Sequence, residues 1–133
     1  MRTNNILAAG VLLAACFCGS VTAALLPTFD RTIVATNGIA KYQISTMHTV
    51  LDVNNGDPMV YSPLRKIVGS EYEDGYVYVR TSDCDAGDGQ LYFTDRKHGI
   101  RYTSTFKVAN AALDDKLAGA LCATYSQIST GKR

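Results

Sequence analysis

The stretch SDCDAGDGQLYFTD, residues 82–95, sets Asp83, Asp85 and Asp88 beside Gly87 and Gly89, a composition that suggests a calcium loop. Such a loop needs oxygen ligands at positions 1, 3 and 5, glycine at 6 and a bidentate glutamate at 12. Counted from Asp83, position 5 is Gly87, position 6 is Asp88 and position 12 is Thr94. Two ligands are missing and the glycine is displaced. The aspartates therefore read as solvation of a turn, and no metal or other cofactor is expected. Cys84 and Cys122 carry the second chemistry. With no CxxC pair and only two histidines, His48 and His98, zinc is a poor fit. In an exported domain two remaining cysteines pair as a disulfide.

Catalytic groups are sparse. There is no GxSxG, and His48 and His98 read as ordinary histidines, one in an ambiguous run and one at a turn tip. EYEDG, residues 71–75, offers paired carboxylates of the kind used in glycoside hydrolysis. Placed before a turn, in a chain with no tryptophan, it reads as a solvated charge run. DRKHGIR gathers Arg96, Lys97, His98 and Arg101 at a hairpin tip, a candidate contact loop for an acidic protein partner. The acidic turn lies at the other end of the intervening strand, about 20 Å away at 3.3 Å per residue.

The compartment follows from the first residues. Arg2, the apolar run ILAAGVLLAACFCGS and the small residues Val21 and Ala23 form a secretory signal pattern, residues 1–23. LAAC, ending at Cys16, is a rival lipidation site. The apolar stretch after it is a poor tether, and cleavage after Ala23 leaves an even cysteine pair. The soluble periplasmic or secreted form is favoured; membrane attachment is expected only through a lipid on Cys16. Residues 24–133 then form one domain. Without Arg2 there are twelve basic and twelve acidic side chains, which argues against nucleic acid.

These residues need elements to hold them. Asn37-Gly38 between two β-rich runs predicts a type I′ hairpin. Residues 46–53 fit helix or strand, with β-branched residues leaning to strand. Pro63, between two short strands, predicts an edge or a break. GYVYVRTSDC alternates, Val77 and Val79 against Tyr76 and Tyr78, and reads as a strand running to Cys84. QLYFTDR and IRYTSTFKV complete a meander. Residues 110–127 then change to helical period, with Leu113, Leu117, Ala120, Leu121 and Thr124 on one side and Asn110 as N-cap. The expected fold is α+β: an antiparallel meander with a C-terminal helix packed on one face and stapled by Cys84–Cys122.

A strand ending at Cys84, further strands, then a helix carrying Leu113, Leu117, Leu121 and Cys122 resembles the bacterial surface-adhesin E family. The resemblance covers the last third of the chain. It implies a sheet tied to its C-terminal helix by a disulfide, and a surface-binding role. The expected function is an exported, non-catalytic binding protein, adhesin-like or accessory; a periplasmic inhibitor or immunity protein is the alternative, and a small hydrolase the third reading. The intact mass of the exported protein should begin at Ala24; a diacylglycerol on Cys16 would contradict the soluble form.

Overall fold

The computed structural model describes residues 28–53 and 56–131. The expected signal segment, with Cys16 and Cys18, lies outside the described residues. Among these residues seven strands form one antiparallel sheet: β1 (Arg31–Val34), β2 (Ala40–Ile44), β3 (Val50–Asp52), β4 (Met59–Val68), β5 (Glu71–Arg80), β6 (Asp88–Thr94) and β7 (Ile100–Lys107). Helix α1 (Thr81–Ala86) joins β5 to β6, and α2 (Leu113–Ser129) ends the fold. Sheet order is β1-β2-β4-β5-β6-β7, with β3 also on β4. β2 pairs with the far half of β4 and β3 with its near half, so together they act as one strand with an interruption. The whole sheet is then a meander in chain order.

That interruption explains two departures from the sequence reading. Ile44 pairs with Leu64 and Val50 with Tyr61, which leaves residues 45–49 opposite only Ser62 and Pro63. The excess forms a 3-10 turn, Thr46–His48, ahead of β3. Residues 46–53 are thus part turn, part strand. Pro63 does not break β4, because the ladder along that edge is already interrupted where its N–H is missing. Ser62 Oγ accepts the Ser45 N–H at 3.2 Å, and Thr49 Oγ1 donates to the Ser45 carbonyl at 2.9 Å. Both Ser45 and Ser62 are fully buried, and no buried side-chain polar atom among the described residues lacks a partner.

The inner face of the sheet builds the core. Ile33, Tyr42, Ile44, Val60, Leu64, Val77, Val79, Leu91, Phe93 and Phe106 meet Leu117, Ala118, Ala120 and Leu121 of α2. The helix begins at Leu113 rather than beside Asn110, whose N–H closes a turn onto the Lys107 carbonyl at 3.0 Å. Asp115 satisfies the helix start instead. Its carboxylate accepts the Ala112 N–H at 3.1 Å and the Lys107 N–H at 2.8 Å, joining α2 to β7. One residue earlier, Asp114 accepts the Tyr42 hydroxyl at 2.9 Å and also the Ser104 hydroxyl. Burial, then the Asp114 carboxylate, pushes the Tyr42 phenol far above its ordinary range.

β5 ends at Arg80, so Cys84 lies not in a strand but in α1. Thr81, Ser82 and Asp83 suit a first helical turn better than a strand, and Gly87 at φ 79° ends the helix. The β1–β2 connection is likewise longer than a two-residue type I′ turn. Ala35 N–H bonds the Ala40 carbonyl at 2.9 Å, and Gly38 alone has positive φ there, while Asn37 accepts the Ile39 N–H. Cys84 and Cys122 are bonded, with Cα atoms 5.3 Å apart, and this ties α1 to α2.

The Cys122→Ser change should lower stability by about 2–5 kcal/mol. In hydrogen exchange the amides of α2 should lose protection before those of β5, because the ladder of β5 is independent of the helix. A variant as stable as the wild type would remove the staple from the account.

Candidate functional site

Strand alternation leaves a second face opposite α2. On it the register aligns Tyr61 with Tyr78, Pro63 with Tyr76, Arg65 with Asp74, Ile67 with Tyr72, and Tyr78 with Tyr92. Five of the eight tyrosines, Tyr61, Tyr72, Tyr76, Tyr78 and Tyr92, therefore share this face. No helix of the described residues covers it. Tyr61 and Tyr78 stack with centroids 4.6 Å apart, and Tyr76 stacks on His98 at 4.1 Å. The two pairs meet edge to face, Tyr61 against Tyr76 at 6.0 Å and 77°. The Tyr78 hydroxyl hydrogen-bonds His98 Nδ1 at 2.5 Å. Burial first, then the neighbouring Tyr61 and Asp52, pushes the Tyr78 pKa up to about 12, so the phenol stays protonated at neutral pH.

The loop over residues 95–99 puts His98 in place. Asp95 Oδ1 accepts the N–H groups of Lys97 at 2.8 Å and Gly99 at 2.9 Å, and those bonds lower its pKa. His98 takes φ 66°, the left-handed region, and turns its ring onto the sheet. All four basic residues, Arg96, Lys97, His98 and Arg101, are exposed, but three of them also have partners on β5. Arg96 reaches Asp74 Oδ2 at 3.3 Å, Arg101 pairs with Glu73, and His98 is stacked. Lys97 is exposed. Glu73 and Asp74 stand in the first half of β5, not before a turn, and act as partners for these cations.

Beside the aromatic cluster, Arg65 donates to both oxygens of Asp74, at 2.7 and 3.0 Å. Its guanidinium also lies 4.2 Å from the Tyr72 ring centroid and 5.1 Å from that of Phe29. The hydrogen bond from Arg65 lowers the Asp74 pKa below its ordinary 3.8; burial opposes this, and the charges of Arg65 and Arg96 add to it. A groove of about 470 Å³ runs here between Phe29, Pro63, Tyr76 and Arg96. A second, of about 420 Å³, lies on the other side of the cluster between Met59, Tyr78, Arg80 and Tyr92. Gly75 allows the crowding behind them: a Cβ there would strike the Thr94 carbonyl.

The remaining candidates lie elsewhere. Asp83 turns back to accept the Gln90 N–H at 3.3 Å, and Asp85 and Asp88 are exposed. No three His, Cys, Asp or Glu side chains among the described residues group as a metal site. His48 Nδ1 sits 2.8 Å from Ser45 Oγ, a nucleophile–base distance, but Ser45 is fully buried in the interruption of the sheet and cannot meet a substrate. Tyr61 is not legible on this face while β4 is expected to break at Pro63, and Tyr72 is not because β5 begins at Glu71, inside the stretch EYEDG that reads as a solvated charge run. No protein-family model, curated protein or solved structure matches the chain.

Replacing Asp74 by Asn should cost about 1 kcal/mol near neutral pH, a value discounted for partial exposure. The folded pKa lies below the unfolded one. The contribution is therefore complete above 3.8 and is lost as pH falls through the lowered value. Wild-type and variant melting midpoints should differ at pH 7 and converge in stronger acid. Equal midpoints at pH 7 would show that the Arg65–Asp74 fork contributes nothing.

Proposed function

We propose that the chain is an exported, non-catalytic binding protein, adhesin-like or accessory, that holds a protein partner on its tyrosine face. One observation carries the reading: five tyrosines share the sheet face that no helix of the described residues covers. A two-layer domain needs only one buried face, and the free side of such a sheet is ordinarily polar. Tyrosine supplies large contact area with few rotatable bonds and keeps a hydroxyl for hydrogen bonding. Arg65 and Arg80, each held over a ring by an acidic neighbour, add cations of the type that anchors interfaces.

A catalytic reading has less support. The buried Ser45 is out of reach, and a phenol held protonated at Tyr78 is a poor nucleophile or base at neutral pH. The loop over residues 95–99 folds onto β5, which favours recognition by the face over a projecting inhibitory loop. The Cys84–Cys122 bond supports an oxidising compartment, and the resemblance to the surface-adhesin E family points the same way.

The test is capture from periplasmic and host extracts by residues 24–133, with wild type beside the double variant Tyr72→Ala, Tyr92→Ala. Both positions flank the stacked pairs, so the fold should hold. Affinity for the captured protein should fall at least about tenfold, the usual loss for interface tyrosines. Undiminished capture by this variant and by Tyr76→Ala would overturn the reading.

A further inference from the structure

We propose that the free edge of β7 accepts an extended, acidic segment of a partner protein as an added strand. The Val108 N–H donates to the Gly87 carbonyl at 2.9 Å, towards β6, whereas the Lys107 N–H turns away and donates to Asp115 at 2.8 Å. Backbone groups alternate along an antiparallel strand. The N–H groups of Thr103 and Thr105 therefore point away from β6, as that of Lys107 does. Both residues are exposed, and neither N–H has a partner among the described residues. The edge is eight residues long, with no proline. The opposite edge, β1, has four residues, and Lys116 Nζ donates to its Val34 carbonyl at 3.3 Å. β7 is thus the edge left open for strand addition.

Charge selects the occupant. Arg101 and Lys107 flank the open stretch, and the residues between them, Tyr102, Thr103, Ser104, Thr105 and Phe106, are uncharged. A second copy pairing antiparallel about Ser104 sets Arg101 opposite Lys107 twice; pairing about Thr103 leaves them one diagonal step apart. Both registers bring like charges together. An acidic strand meets Lys107, and competes with Glu73 for Arg101, without that repulsion, and its N–H and C=O groups complete those of Thr103 and Thr105. Thr103 is the cross-strand neighbour of Tyr92, but strand addition uses the in-plane backbone groups of the β7 edge and no tyrosine ring, so the inference does not rest on the tyrosine-face reading.

The test uses the domain with fluorescein-labelled (Thr-Glu)4, beside (Thr-Lys)4 and (Thr-Gln)4, in fluorescence anisotropy. The acidic peptide should bind, the basic one should not, and added salt should weaken binding. Thr103→Pro removes the outward N–H without touching the β6 ladder, and should cost about tenfold in affinity. In the wild type, millimolar (Thr-Glu)4 should slow exchange of the Thr103 and Thr105 amides, a readout that does not depend on the proline variant folding. Equal binding of all three peptides, or unchanged exchange at these amides, would overturn the proposal. So would a sedimentation result in which the chain dimerises and Thr103→Pro abolishes the dimer, since a second copy would then hold the edge.

Discussion

The apolar stripe of α2 has to leave water, and the sheet offers it one suitable face. Leu117 and Leu121 are fully buried against a layer that includes Ile44, Val60, Val77, Val79 and Leu91. Burying one such side chain is worth about 1.5–3 kcal/mol, so the stripe sets the side on which the helix lies. Polar contacts fix its position on that side. Asp114 ties it to β2 and β7, Asp115 ties it to β7, and Cys122 ties it to α1. None of these could form if the helix lay on the other face.

The same choice exposes the tyrosines. Period-two alternation that points Val77 and Val79 inwards must point Tyr76 and Tyr78 outwards. Cross-strand register then adds Tyr61 from β4 and Tyr92 from β6. The rings cover one another as stacked and edge-to-face pairs, and this keeps a largely aromatic surface ordered in water. His98 completes the group because its loop holds it in a left-handed conformation, with Asp95 bonded to the residues on either side.

Much of this is legible in the sequence where a single period dominates. The alternation around Tyr76–Arg80, the helical stripe from Leu113 to Thr124 and the pairing of Cys84 with Cys122 all correspond to observed features. The failures sit where tertiary contacts override local signals. Pro63 looks like a break, but the bulge at residues 45–49 gives its missing N–H a harmless place. TSDCDA looks like the end of a strand, yet its first three residues start a helical turn that aims Cys84 at α2. Asn110 looks like a cap, yet Asp115 takes that role because it can also reach β7. The site was half visible. Arg96, Lys97, His98 and Arg101 are neighbours in sequence, but only the fold shows three of them turned onto β5 and joined there by tyrosines from other strands.

Covalent labelling of tyrosines, read by peptide mass spectrometry, tests the free aromatic face most directly. In the isolated domain Tyr72 and its neighbours on β4, β5 and β6 should label, and Tyr42, buried against α2, should not. In the complex recovered with the domain, Tyr61, Tyr72, Tyr76, Tyr78 and Tyr92 should lose label while Tyr125 keeps it. Labelling of those five that is unchanged by the partner, with protection confined to α2, would contradict the account.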